Sequence, residues 1–255
     1  MKVFRIKHGE NVFYATLEGD HFKSLIAGQT GEGPIPLNEC LILPIVVPSK
    51  IVCVGLNYKE HARELNMDME EDPMIFLKPS SAVIGNNDAI IMPSISQQVD
   101  YEGELAVIVG QPIKNVPPEM VAPLIFGYTC ANDVTARDFQ RKDKLFTRAK
   151  GFDTFAPIGP CIETELDTSA LGLRTMVNGV VRQEGNTSDM MRTPHELVSY
   201  ISTIMTLNPG DVIMTGTPKG IGTLKDGDTV EVEIEGIGTL SNKALSEESL
   251  KTIVQ

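Results

Sequence analysis

Glu102 and Glu104 are the residues whose type and spacing most clearly suggest chemistry. They lie in the stretch Val99-Asp100-Tyr101-Glu102-Gly103-Glu104-Leu105-Ala106-Val107-Ile108-Val109-Gly110. Its second half is apolar, rich in β-branched side chains and closed by glycine, which predicts a strand. Side chains on a strand alternate, so Leu105, Val107 and Val109 share one face and Glu102, Glu104, Ala106 and Ile108 the other. Two carboxylates then stand about 7 Å apart along one face. Gly103 between them leaves room for another backbone or a ligand. Such a pair is either a solvated strand end or one side of a site that holds a hard divalent cation through carboxylate oxygens.

Asp133 closes a second predicted strand, Gly127 to Asp133, and is either a third oxygen donor or the N-cap of the next short helix. No cysteine or histidine cluster accompanies these acids. Three carboxylates favour Mg²⁺, with Mn²⁺ or Ca²⁺ as alternatives, over Zn²⁺. His61 and Glu64 are three apart on a predicted helix from Tyr58 to about Leu65, so they share a face. A carboxylate beside an imidazole fixes its tautomer and raises its basicity. The plainer reading of that pair is a surface ion pair. Lys150, inside the apolar run Ala149 to Pro160, is a candidate buried ammonium or a lysine whose stem packs while its head reaches solvent. Lys78 at a strand end is either a positive charge pointing into a site or, on the plainer reading, a solvated lysine; His195 in a first helical turn, and His8 and His21, are expected at the surface.

The elements that must position these groups are mostly strands. Sixteen prolines and 22 glycines point to many turns. Residues 1–47 read as a small β unit, with strands over residues 3–7, Val12 to Leu17 and Phe22 to Ile26, and a Gly/Pro-rich loop from Gly28 to Pro36. Residues 48–255 form the main body. There Ile51 to Leu56 is a buried strand, and Asn57 with Glu60 is a capping box for the helix carrying His61. The acidic stretch Asn66 to Pro73 that follows is a mobile loop and a candidate lid. A helix is predicted over Glu119 to Phe126 and a charged helical segment over Phe139 to Arg148. Asn178-Gly179 between two strands signals a type I′ hairpin. Thr193-Pro194-His195-Glu196 caps a helix whose buried stripe is Leu197, Val198, Ile201, Ile204 and Met205. The loop from Thr215 to Gly222 has the wrong glycine spacing for a P-loop but can offer hydroxyls and N–H groups to a carboxylate.

Composition narrows the partners. Net charge is −12, from 34 acidic and 22 basic residues, which disfavours nucleic acid. The longest apolar stretch, Cys40 to Gly55, is broken by Pro44, Pro48 and Lys50, so no membrane helix is expected. Cys40, Cys53, Cys130 and Cys161 show no metal-knuckle spacing and read as free thiols in a reducing cytoplasm.

Seven stretches together resemble the fumarylacetoacetate hydrolase family. They are Gly55-Leu56-Asn57-Tyr58 with His61 and Glu64; Phe76-Leu77-Lys78-Pro79-Ser80; Asp100 to Leu105; Asn132 to Asp138; Lys150-Gly151-Phe152-Asp153; Val177-Asn178-Gly179; and Thr215 to Gly220. They span about residue 48 to the C-terminus, in family order. The N-terminal unit resembles the small β domain of bacterial members. The resemblance implies an α+β, strand-dominated fold, a mixed β-sheet roll, in a homodimer. It assigns Glu102, Glu104 and Asp133 as metal ligands, Lys150 as a lysine beside the metal, and His61 with Glu64 as a dyad on a lid helix. Thr217 matches a residue contacting the substrate carboxylate, and Arg137 and Gln140 match positions near the pocket. The implied chemistry is that of a 2-oxo acid chelated by Mg²⁺ and converted through a stabilised enolate. Lys150 offsets charge on the bound oxygen, and His61 activates water. Hydrolysis of the C–C bond in acylpyruvate- or fumarylacetoacetate-like substrates is the leading expectation. Isomerisation, tautomerisation or decarboxylation of oxaloacetate or 2-hydroxyhepta-2,4-diene-1,7-dioate-like substrates is the alternative, and a non-catalytic metal-binding dimer the distant one.

Overall fold

A computed structural model describes residues 1–25, 33–66 and 71–253. The strand Gly103–Val109 is buried along its whole length. It pairs antiparallel with Ile125–Asn132 on one side and Val212–Met214 on the other. This places it inside a twelve-stranded mixed sheet. Its faces alternate as predicted. Leu105, Val107 and Val109 enter one core with Leu173 and Val232, while Ala106 and Ile108 enter another with Ile51, Cys53, Ile158 and Met214. Burial on both faces is why the segment reads as a near-continuous apolar run.

A five-stranded sheet covers the Leu105 face. Its order is Val180–Asn186, Gly172–Val177, Thr229–Ile234, Gly238–Ser246 and Ala89–Met92. Gly103 lets it approach. A Cβ there would lie 2.1 Å from Thr175 Oγ1, so of the two expected occupants, another chain segment or a ligand, the neighbouring sheet takes the space. A small three-stranded sheet, Thr135–Ala136, Val99–Tyr101 and Gly222–Thr223, brings the loop after Asn132 and the loop after Met214 to the mouth of the Glu102 strand.

The N-terminal strands Lys2–His8, Asn11–Glu18 and His21–Ser24 have their own core of Ile6, Phe13, Ala15, Phe22 and Ile35. They are also continuous with the main sheet, since Lys2 pairs with Glu163 and Val3 with Ile162. The third strand stops at Ser24. Ile26, the first part of the Gly28 to Pro36 loop, and residues 67–70 of the acidic loop lie outside the described residues.

Several local expectations are corrected. Pro123 lacks the N–H that a helix needs, and the segment after Pro117 forms two 3-10 turns, Pro118–Met120 and Ala122–Leu124, before the strand begins at Ile125. The charged segment splits into helices Arg137–Asp143 and Phe146–Lys150, divided at Lys144, whose φ is 56°. The short helix Lys59–Glu64 has Tyr58, not Asn57, at its N-cap and no side-chain cap. Ile204 is 50% exposed, because the buried stripe of helix Pro194–Ile204 ends at Ser202. The capping box at Thr193 and Glu196 is present, and Asn178 and Gly179 both have the positive φ of a type I′ turn.

Candidate active site

Glu102 sits at the break between Val99–Tyr101 and Gly103–Val109. Its N–H donates to Asn132 Oδ1 at 2.9 Å, and its carbonyl accepts the Asp133 N–H at 2.8 Å. These bonds pin the end of one strand against the end of its neighbour. They bring Glu102, Glu104 and Asp133 together, with carboxylate oxygens within 4.8 Å of one another and all three residues buried. Asp133 is therefore not a helix N-cap, since the next helix begins at Arg137.

Three buried cations surround these acids. Lys150 Nζ donates to Glu102 Oε2 at 2.9 Å and to Asp133 Oδ2 at 2.5 Å. Lys78 Nζ donates to Asp133 Oδ1 at 2.5 Å and to Val134 O at 3.0 Å. Arg137 donates to Asp100 Oδ2 at 3.0 Å, to Glu102 Oε1, and to Gln140 Oε1 at 2.5 Å. Lys78 is only 1% exposed, which corrects the plainer reading of a solvated strand end. Its burial follows from its position, because the strand Ile75–Lys78 pairs with the buried strand Ile51–Val54 and delivers its last side chain to Asp133.

The charge does not balance. Asp100, Glu102, Glu104 and Asp133 are four carboxylates against the three cations Lys78, Arg137 and Lys150. Among the described residues no cation is hydrogen-bonded to Glu104. Its Oε2 accepts the Gly216 N–H at 2.7 Å, delivered by a loop residue with φ +97° whose missing side chain leaves room for Asn57. Burial, then Asp133 and Glu102, push the Glu104 carboxyl well above the usual carboxylate range. Burial pushes Glu102 the same way, but Lys150 and Arg137 overcome it and hold that carboxyl well below its ordinary value. A buried set of hard oxygen donors with one uncompensated negative charge fits a divalent cation.

His61 is 2% exposed, so its pair with Glu64 is not the surface ion pair of the plainer reading. Its Nδ1 lies 2.9 Å from Glu64 Oε2, and Glu64 Oε1 accepts the Gly220 N–H at 3.0 Å. An ionised carboxylate only accepts, so in the neutral ring the proton sits on Nδ1 and Nε2 presents a lone pair. The ion pair of Glu60 with Lys219 adds a second tie between this helix and the 215–220 loop. His61 lines a cavity of about 30 Å³ with Glu102, Arg137, Gln140 and Lys150 on one side and an apolar wall that includes Leu56, Leu65, Met74, Phe76 and Phe146.

Thr217 is buried beside the acids, and its hydroxyl donates to Gly103 O at 2.8 Å. Asn57 is missing from the sequence-derived site because its spacing to Glu60 suggested a cap. Its side chain instead donates to Arg192 O and Thr215 O and accepts the Arg192 N–H. Asp100 and Gln183 were also missed. Gln183 stands between Arg182 and Glu184 and Asp100 close to Glu102, so polarity does not single either out and only its tertiary partners distinguish it. His195, expected to be exposed, is half-buried against Tyr128, with Nε2 3.0 Å from the phenol oxygen.

The sheet arrangement and the acid–lysine cluster define a class. The chain belongs to the fumarylacetoacetate hydrolase family, whose C-terminal domain model matches residues 50–244. Among solved structures it is similar to the 5-carboxymethyl-2-hydroxymuconate delta-isomerase of Mycobacterium smegmatis, with 47% identity and a TM-score of 0.89 over 97% of this chain and 99% of that one. The 2-hydroxyhepta-2,4-diene-1,7-dioate isomerase of Mycobacterium marinum is 42% identical, with a TM-score of 0.88 over 97% of this chain and 99% of that one. The mitochondrial oxaloacetate tautomerase FAHD2A of Bos taurus is 42% identical over 83% of this chain and 71% of its own length. The chain is thus an enzyme of this superfamily, and no helix among the described residues is long and apolar enough to cross a membrane.

Proposed function

We propose that this protein is a divalent-metal-dependent tautomerase or isomerase of 2-oxo dicarboxylic acids, of which oxaloacetate and 2-hydroxy-dienedioates are the nearest in chemistry. The reading rests on one observation above the others: His61 of the dyad lines one small cavity with Lys150 and with Glu102, a member of the buried carboxylate cluster. The names of the similar proteins support isomerisation over the C–C hydrolysis that the sequence alone put first.

Glu102, Glu104 and Asp133 hold the cation, with Mg²⁺ the candidate that suits three carboxylates. When bound, it polarises a keto oxygen and stabilises the negative charge that builds when a neighbouring C–H loses its proton. His61 Nε2 takes that proton and returns it to a different atom. Glu64 holds the ring in the tautomer that leaves Nε2 able to do so. The Lys150 ammonium, fixed between Glu102 and Asp133, is placed to stabilise charge developing on the substrate oxygen. Arg137 holds the Gln140 carbonyl oxygen, which turns the Gln140 amide N–H groups away from it as substrate donors. With four carboxylates, three cations and a divalent ion, the cluster would carry one net positive charge, suited to a substrate carboxylate. The same reading includes a homodimer in the cytoplasm, where the free thiols Cys40, Cys53, Cys130 and Cys161 stay reduced.

C–C hydrolysis is the second reading, because the His61–Glu64 dyad would equally activate a water. Purified protein with Mg²⁺, incubated with oxaloacetate and with an acylpyruvate, separates them. The expected result is enol loss above the uncatalysed rate, without CO₂ or pyruvate, and abolished by EDTA. Pyruvate plus a carboxylic acid from the acylpyruvate alone would move the assignment to hydrolysis. Turnover of neither, nor of a dienedioate, would sink the enzymatic reading.

A further inference from the structure

A side chain outside both the acid cluster and the dyad holds the backbone between Glu102 and Glu104. Gln183, on the strand Val180–Asn186, is fully buried. Its Oε1 accepts the Gly103 N–H at 2.9 Å. Its Nε2 donates to Thr217 Oγ1 and to Pro218 O, each at 2.8 Å. Thr217 Oγ1 in turn donates to Gly103 O at 2.8 Å. Both polar groups of the single residue between the two glutamates are therefore tied to the 215–220 loop by one amide and one hydroxyl.

The amide has one workable orientation. Flipped, its NH₂ would face the Gly103 N–H, and its oxygen would face the Pro218 carbonyl. With the observed orientation, the Thr217 hydroxyl must accept from Gln183, and its hydrogen is engaged by Gly103 O. Only one lone pair remains on that oxygen. A substrate carboxylate accepts hydrogen bonds and cannot receive one from this hydroxyl while the clamp stands. Gly103 is the residue that allows the clamp, because Thr175, directly opposite Gln183 in the neighbouring sheet, occupies the space a side chain would need.

We propose that Gln183 is a positioning residue for the cation site. It fixes the separation of Glu102 and Glu104 and registers the Thr217–Pro218 loop against them, so that the Thr217 hydroxyl serves the site as a strut and not as a carboxylate donor. This rests on the reading of the acid cluster as a cation site. Groups that orient metal ligands without touching the metal typically change metal affinity 10–100-fold when removed.

Isothermal titration of Mg²⁺ into the full chain tests it, with folding checked by circular dichroism. Parent, Gln183→Leu, Thr217→Val and the double variant are compared. Both single variants are expected to weaken Mg²⁺ binding roughly 10–100-fold. The double variant is expected to be no weaker than the worse single, since both changes break one clamp. A folded Gln183→Leu with an affinity within about twofold of the parent, or single losses that multiply in the double, overturns the proposal. Where Gln183→Leu does not fold, Thr217→Val decides alone, and an unchanged affinity overturns it. A parent that binds no Mg²⁺ would instead refute the cation reading itself.

Discussion

At the scale of the residue, His61 and Glu104 are set by opposite means. Burial and two neighbouring carboxylates act in the same direction on Glu104 and raise its carboxyl against the opposing pull of Lys150. His61 is nearly as buried, but its Nδ1 faces a Glu64 carboxylate that also accepts the Gly220 N–H, which fixes the tautomer of the neutral ring. The two groups are therefore separable. His61→Ala should lower kcat by roughly 10²–10⁴, the usual range for loss of a general base. The Mg²⁺ affinity of that variant should stay within about twofold of the parent, because the imidazole ligates nothing in the acid cluster. Steady-state kinetics with a parallel titration checks both. A variant that loses turnover and Mg²⁺ together would show that His61 belongs to the metal set.

At the scale of the element, the 215–220 loop and the helix Lys59–Glu64 carry the site between them. The loop gives N–H groups to Glu104 and Glu64, and the helix has no N-cap bond of its own. Six residues make a marginal helix, so its contacts with the loop and its buried face must hold it. The helix Pro194–Ile204 is different, since its capping box was legible in the sequence. Its first turn places His195 against Tyr128, where burial draws the imidazole below its ordinary 6.5. The unfolded chain then binds more protons than the folded one between that depressed value and 6.5. Stability should be fully present above pH 6.5 and fall as pH drops below it. Denaturant midpoints from pH 7.5 to 5.0 should fall more steeply in the parent than in His195→Gln. Parallel slopes would show that His195 contributes nothing to the acid sensitivity.

At the scale of the whole molecule, the proposed cation site lies where three sheets meet. The twelve-stranded sheet supplies Glu104, Asn132 and Lys78, the small sheet frames Asp100 and Glu102, and the five-stranded sheet supplies Gln183. A cation bound there stabilises the fold by mass action. At about 100 times its Kd, Mg²⁺ should add about 2.7 kcal/mol. For a chain of this size that corresponds to a rise in Tm of roughly 5–10 °C. Thermal unfolding with Mg²⁺ and with EDTA measures it, and Glu104→Gln should lose most of the increment. An equal rise in that variant would place the stabilising cation elsewhere.

The sequence by itself determined the strand of Glu102 and Glu104, its two faces, the hairpin at Asn178-Gly179, the capped helix at Thr193 and the family. Each of these is written locally, in alternation, turn chemistry or a run of motif residues. The tertiary structure decided what those residues meet. It turned Lys78 inward, moved Asn57 from a cap to a bridge, and filled the space beside Gly103 with Thr175 instead of a ligand. It also tied Gln183 to the gap between the glutamates, across 80 residues of chain. A glutamine or lysine in a strand has no periodicity that reveals its partner, because partners on other sheets are fixed only when the sheets pack. The pair that began as a charged strand end thus becomes part of a buried acid cluster through contacts that only packing supplies.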